Sequence, residues 1–196
     1  MEAISTGLLE WAVAELVLPG QTESGDRGLV TATSGGSLVA VVDGLGHGAE
    51  AAGAAKAAVS SLERHAQEPI IQLIRNCHRS LAGTRGVVMS VAEFDARAET
   101  MTWIGVGNVE GVLLRAQAAV SPRRESLLLR GGVVGAHLPA LIAAIVPVTR
   151  GDTVIFATDG VRGDFTRENF AHGESPQQLA DRLLAAWGTK TDDALV

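Results

Sequence analysis

Ser37-Leu38-Val39-Ala40-Val41-Val42-Asp43-Gly44-Leu45-Gly46-His47-Gly48 decides how the rest of the chain is read. Its first six residues are a continuous run of strand length, the pattern of a buried strand. The run stops at a carboxylate followed by glycine, and the period then changes. Ala51, Ala55, Ala58 and Leu62 recur at helical spacing, with Ala52 and Val59 beside them. Small side chains on that stripe let a helix lie close against a sheet. A carboxylate at such a strand exit is held by the rigid sheet. The glycine after it lets the backbone turn away and present its carbonyl or N–H to a ligand.

On the N-terminal side, Leu8 to Leu18 reads as a bulged strand ending at Pro19-Gly20. Gly28 to Thr33 reads as a second strand, joined to the apolar run through the Gly35-Gly36 turn. On the other side, a second helix opens at Pro69, a favoured first helical position. Its apolar face is Ile70, Leu73, Ile74, Cys77 and Leu81, which puts the lone cysteine in the core. Strands are then expected at Gly86–Phe94, Thr100–Val106, Gly111–Arg115 and Ser126–Leu129, with a hairpin turn at Asp95-Ala96-Arg97. Ala143–Val148 and Thr153–Ala157 are expected to pair with each other across Arg150-Gly151-Asp152. Ser175-Pro176-Gln177-Gln178 has the form of a capping box, so a last helix starts there. It buries Leu179, Leu183 and Trp187 and ends at Gly188, and a final strand follows Asp192-Asp193. The helices cluster instead of alternating with strands, which favours an α+β layered fold over a doubly wound parallel sheet. No linker or repeat interrupts residues 1–196, so one domain is expected.

A chain of 196 residues can bury its own core without disulfides. Its 16 basic residues against 22 acidic give a net charge of -6, and it has four Phe, three Trp and no Tyr. That balance disfavours a phosphate backbone, and so few rings are a poor platform for stacking bases. One cysteine makes neither an internal disulfide nor a cysteine metal cage, which fits a reducing compartment. Met1-Glu2-Ala3 does not open a signal peptide. The apolar stretch Leu138–Val148 contains Pro139 and Pro147 and is too short to span a bilayer. The expectation is a soluble cytoplasmic protein with neither nucleic acid nor membrane as partner.

The Asp-Gly exit occurs twice, at Asp43-Gly44 and at Asp159-Gly160 within Ala157-Thr158-Asp159-Gly160. Asp26, in Ser24-Gly25-Asp26, and the Asp192-Asp193 pair occupy similar places. Carboxylates brought together without cations repel and resist burial. An oxygen-only donor set suits Mg²⁺ or Mn²⁺, and a pair of such ions can activate water for in-line attack on phosphorus. Such chemistry needs no protein nucleophile, and the chain shows no Ser-His-Asp or Cys-His arrangement. Each Asp-Gly also reads as an ordinary turn after a strand, and Asp192-Asp193 as an exposed loop. Spacing alone does not choose between these readings.

The motifs Val41-Val42-Asp43-Gly44-Leu45-Gly46-His47-Gly48, Ala157-Thr158-Asp159-Gly160-Val161 and Asp192-Asp193-Ala194-Leu195-Val196 carry a resemblance. With Ser24-Gly25-Asp26 and Gly131-Gly132-Val133-Val134-Gly135, in this order, the chain resembles the metal-dependent type 2C protein serine/threonine phosphatases. The bacterial branch typified by the sporulation stage II E phosphatase and RsbX is nearest. The resemblance implies a four-layer α-β-β-α sandwich, two antiparallel sheets flanked by helices, with two Mn²⁺ or Mg²⁺ ions between the sheets. It implies that Asp43 bridges both ions, that the Gly44 carbonyl binds one, and that Asp159 and Asp192 hold the second. Asp26 would act from the outer shell, orienting water. The activity implied is hydrolysis of phosphoserine or phosphothreonine on stressosome scaffold (STAS-domain) proteins, as in RsbX-type regulation of stress signalling. The alternatives are a phosphatase of an anti-sigma-factor antagonist and a pseudophosphatase that binds a phosphoprotein without chemistry.

The chain departs from the pattern at four places. Gly25 stands where many relatives carry an acidic residue beside the first Asp, and Gly107-Asn108 where many bacterial ones carry a third-metal Asp. Leu45 replaces a histidine proposed as general acid, leaving His47, two residues on, as a candidate proton donor. The closing strand stops at Val196, shorter than the family leads one to expect, so a C-terminus cut short is expected.

Overall fold

The computed structural model describes residues 4–5, 9–117, 119–168 and 174–196. The signal-peptide reading of residues 1–3 and the Leu8 end of the first strand candidate lie outside these.

Along the chain come β1 (Ile4–Ser5), β2 (Glu10–Trp11), β3 (Glu15–Leu16), β4 (Asp26–Ala32), β5 (Gly36–Gly44), α1 (Ala49–Arg64) and α2 (Ile70–Ser80). They are followed by β6 (Val87–Asp95), β7 (Thr100–Val106), β8 (Glu110–Leu114), β9 (Arg124–Ser126), β10 (Leu129–Arg130), β11 (Ala144–Pro147) and β12 (Thr153–Ala157). A 3-10 turn at Gly163–Arg167, α3 (Pro176–Trp187) and β13 (Ala194–Leu195) complete it. β4, β5, β6 and β7 form an antiparallel meander, and the outer edge of β7 is shared by β10, parallel, and β11, antiparallel. A second sheet is ordered β12-β8-β9, and β13 pairs with β3 beside it.

Strand alternation sorts the apolar residues into three seams. Leu38, Ala40 and Val42 of β5, with Met89 and Val91 of β6, pack under Ala54, Ala55, Ala58 and Leu62 of α1 and Leu73, Ile74 and Cys77 of α2. The alternate residues of the same strands, Val41, Val88 and Ala92, face Leu113 of β8 and Phe156 of β12. The outer side of the second sheet, Val112, Ile155 and Ala157, packs on Phe165 and on Leu183 of α3. The result is the expected α-β-β-α sandwich. Wholly buried alanines on α1 allow the close helix-to-sheet approach that its sequence suggests. Burial pushes the Cys77 thiol up to about 12, as befits an inert core group.

The Ser175 hydroxyl accepts the Gln178 N–H at 3.3 Å and the Gln178 side chain accepts the Ser175 N–H at 3.0 Å, so α3 opens with the expected capping box. Pro69 caps α2 from outside and the helix begins at Ile70, one residue later than expected. Leu8–Leu18 is not one strand: its described part holds two short pieces, β2 and β3.

Two further expectations need correction. Ala143–Val148 and Thr153–Ala157 do not pair with each other, because β11 joins β7 in the first sheet and β12 joins β8 in the second. The turn between them is real, with the Asp152 N–H donating to the Thr149 carbonyl at 3.0 Å and Gly151 at φ +92. It serves as a crossing between layers. The buried Arg115 guanidinium ties it down, bonding Asp152 at 3.1 Å together with Glu125 and the Pro147 carbonyl. Ser126–Leu129 likewise divides, Ser126 closing β9 in the second sheet and Leu129 opening β10 in the first.

Candidate metal centre

Asp43 lies near the end of β5, on the face that carries Val41 into the seam between the sheets, and Asp159 stands just beyond β12, which ends at Ala157. Register places Asp26 of β4 directly opposite Asp43 of β5, so both carboxyls project from the same side of the sheet. Asp159 follows β12 and Asp192 precedes β13. Asp43, Asp159 and Asp192 line one cavity of about 170 Å³, to which Leu45, Gly46, Val88, Asn108 and Val133 also contribute. Three segments far apart in sequence thus bring their carboxylates to one mouth. Asp26 and Gly44 are not part of that wall: Asp26 is 2% exposed and Gly44 is buried. His47 is exposed and also stands outside the wall.

The backbone around these acids is packed too tightly for side chains. A Cβ at Gly44 would stand 2.2 Å from the Ala51 carbonyl oxygen, and one at Gly160 would stand 2.0 Å from the Asp193 carbonyl oxygen. Glycine after each aspartate is therefore needed for close approach, in addition to turning the chain. At Gly25 a Cβ would start 3.1 Å from the Ala51 Cβ, so the space an acidic residue would need there is filled by the start of α1.

Several fixing contacts escaped sequence reading. The Thr158 hydroxyl donates to Asp26 Oδ2 at 2.7 Å and accepts the Leu195 N–H at 2.9 Å, joining both sheets at the floor of the site. Asp193 is 3% exposed and accepts the Leu18 N–H and the Gly25 N–H, each at 2.7 Å. Of the adjacent acids, Asp192 therefore faces the cavity and Asp193 anchors the chain. Asn108 donates from Nδ2 to Asp159 Oδ2 at 2.8 Å. Nothing in a single sequence separates Asp192 from Asp193, whereas Thr158 is at least marked by its place in Ala-Thr-Asp-Gly. The Gly131–Gly135 motif acts as a strap: Val134 exchanges backbone hydrogen bonds of 2.9 Å with Val87, which holds Val133 in the cavity wall.

Crowding of like charge marks the site. Burial pushes Asp43 up to about 8, and Asp26, Asp159, Asp192 and Asp193 all add in the same direction. Burial also raises Asp26 to about 7, with Asp193, Asp159 and Asp192 adding and the Thr158 hydroxyl opposing. Among the described residues no three His, Cys, Asp or Glu side chains form a ready-made metal cage. The carboxylates stand around a shared cavity, and their donor set is oxygen only. Mutual repulsion with no cation among the wall residues is what a divalent ion would relieve, so the residues fit Mg²⁺ or Mn²⁺.

The family model for stage II sporulation protein E (SpoIIE) matches residues 33–196. Among solved structures, the chain is similar to a protein of the bacterial stressosome, described as a modular system adapted to control secondary messenger signalling. The two are 27% identical with a TM-score of 0.85, over 93% of this chain and 94% of the other. It shares the fold of RsbX in complex with magnesium at 22% identity and a TM-score of 0.86, over 99% and 96% of the two chains. It also shares the fold of the type 2C phosphatase domain of SpoIIE from Bacillus subtilis, at 17% identity and a TM-score of 0.73, over 93% and 60%. No curated protein matches the sequence significantly.

Proposed function

The chain belongs to the SpoIIE family and has the fold of the type 2C protein serine/threonine phosphatases, and from that premise we propose that it removes phosphate from phosphoserine or phosphothreonine on a protein of a stressosome-type partner-switching system. It is a metal-dependent phosphoric monoester hydrolase, built as one domain over residues 1–196 and working in the cytoplasm. Among the described residues no helix is long and apolar enough to cross a membrane.

The observation that carries this reading is the convergence of Asp43, Asp159 and Asp192 on one cavity at the seam of the sheets. Two Mn²⁺ or Mg²⁺ ions bound there would neutralise the phosphoryl oxygens and activate water for in-line attack. Asp43, half-buried on the rigid exit of β5, would be shared between the two ions, with the Gly44 carbonyl as a further ligand to one. Asp159 and Asp192 would hold the second, and the Asn108 amide, donating to one Asp159 oxygen, would leave the other free to ligate. Asp26, held by Thr158, acts from behind this set as an acceptor that orients water. Its substrate is a phosphorylated scaffold protein with a STAS domain, which the 27% identity to a stressosome-system protein supports.

Phosphate release from candidate scaffold and anti-sigma-factor-antagonist phosphoproteins, measured side by side with Mn²⁺ and with EDTA, tests the reading. The scaffold should be dephosphorylated faster, only with metal, and Asp43→Asn should lower release about a hundredfold or more while the variant stays folded. Faster release from the antagonist would reassign the substrate. Tight phosphoprotein binding with no release would make the protein a pseudophosphatase.

A further inference from the structure

We propose that Arg85 is the group of this chain that grips the peripheral oxygens of the substrate's phosphoryl group at the mouth of the metal centre. The inference rests on the phosphatase reading and adds the residue that recognises the phosphoryl group itself.

The cavity wall carries three carboxylates and no cationic side chain. A phosphate monoester is an anion, and a guanidinium presents planar paired donors that match its oxygens. Arg85 stands where such a group is needed. Its Nη1 lies 2.7 Å from the position a Cβ at Gly46 would take, and Gly46 is part of the cavity wall at φ +89. The missing side chain at Gly46 is the space into which the guanidinium reaches.

The loop bearing Arg85 is fixed to that wall on both sides. Thr84 Oγ1 donates to the Leu81 carbonyl at 2.7 Å and accepts the Gly86 N–H at 3.0 Å. The Gly86 carbonyl accepts the Leu45 N–H at 3.2 Å, and a Cβ at Gly86 would stand 2.5 Å from Val133 Cγ1. Leu45 and Val133 are both wall residues, so the backbone that carries Arg85 moves only with the site. The guanidinium itself is parked on Glu50, in the first turn of α1. The two side chains are 54% and 69% exposed, and an ion pair so wet is worth little. Exchanging Glu50 for a phosphoryl oxygen therefore costs almost nothing, while the stem of Arg85 stays in place.

The test is calorimetric titration of inorganic phosphate into the Mn²⁺-loaded protein, alongside titration of Mn²⁺ alone, for the wild type, Arg85→Ala and Arg85→Lys. Arg85→Ala should weaken phosphate binding about tenfold, with Arg85→Lys recovering part of the loss, and Mn²⁺ affinity should match the wild type in both. The KM for p-nitrophenyl phosphate should rise in parallel. Equal phosphate affinity in wild type and Arg85→Ala overturns the proposal, as does a matching loss of Mn²⁺ affinity. A wild type that binds phosphate through Arg85 but releases none from phosphoproteins would sink the enzyme assignment and leave the Arg85 site standing.

Discussion

Replacing Thr158 with valine removes one hydroxyl and keeps the shape of the side chain, which makes it a direct probe of how the two sheets are held at the site. Thr158 is 1% exposed. Its backbone N–H donates to the Leu195 carbonyl at 3.1 Å, a bond valine retains. Two bonds are lost: hydroxyl to Asp26 Oδ2 at 2.7 Å, and Leu195 N–H to hydroxyl at 2.9 Å. The Leu195 N–H is left in a dry place without an acceptor, which costs about 1–3 kcal/mol. The Asp26 carboxyl loses the donor that offsets its burial, and a hydrogen bond to a charged group contributes about 1.5–3 kcal/mol. Above pH 7, where Asp26 ionises, the expected loss is about 3 kcal/mol, read from urea unfolding of the metal-free protein with an unchanged m value. At pH 5 Asp26 is neutral in both proteins and the loss should shrink towards the Leu195 contribution alone. A Thr158→Val protein within about 0.5 kcal/mol of wild type at pH 8 would refute the bridge. So would a loss of equal size at pH 5 and pH 8, because the Asp26 half of the argument would then be wrong.

The metal-free protein should lose stability as pH rises. The folded Asp26 and Asp43 carboxyls sit at about 7 and about 8, above their ordinary value of 3.8. Their contribution is complete below about pH 4 and is lost by about pH 8, with a slope of at most about 1.4 kcal/mol per pH unit for each group. Thermal unfolding in EDTA between pH 4.5 and 8.5 should show this fall, and saturating Mn²⁺ should abolish it; a melting point that climbs with pH in EDTA contradicts the crowding argument. Asp43→Asn should stabilise the metal-free protein at pH 8 by about 1–3 kcal/mol while lowering Mn²⁺-dependent turnover about a hundredfold or more, and an unchanged denaturation midpoint would count against it. Gly160→Ala, whose Cβ would meet the Asp193 carbonyl at 2.0 Å, should cost about 3 kcal/mol and weaken Mn²⁺ binding. Gly163→Ala, with nothing within 4 Å, is the neutral control, and comparable midpoints for the two alanine variants would refute the packing.

Features that depend on near neighbours in sequence were legible. The apolar run into Asp43-Gly44, the alanine stripe of α1 and the Ser175–Gln178 cap each follow from local chemistry, and each appears in the structure. The layered α+β class followed from element order. What failed needed the third dimension. The turn at Arg150-Gly151-Asp152 has ordinary hairpin chemistry, and nothing local says that its two strands part to different sheets. That separation is anchored by Arg115, far upstream, bonding to Asp152. For the candidate site, motifs named Asp26, Asp43, Gly44, Asp159 and Asp192, and three of these line one cavity. The inward turn of Asp193 and the double role of Thr158 depend on partners 37 to 175 residues away. Arg85 was invisible for the same reason, since its meaning lies in the missing side chain of Gly46.

The opposition of Asp26 and Asp43 on adjacent strands has a bearing on assembly as well as on catalysis. β4 and β5 meet readily at their loop end, where Thr33 and Gly36 bond through Thr33 N–H to the Gly36 carbonyl at 3.0 Å. Zippering from there brings two like charges face to face on the last rung. A newly made chain must close that rung either by holding back a proton or by recruiting a divalent ion. Above about pH 8, where neither carboxyl keeps its proton, supply of the ion while the hairpin closes is expected to set how much correctly paired protein accumulates, so chelation during refolding at alkaline pH should depress the yield more than chelation afterwards.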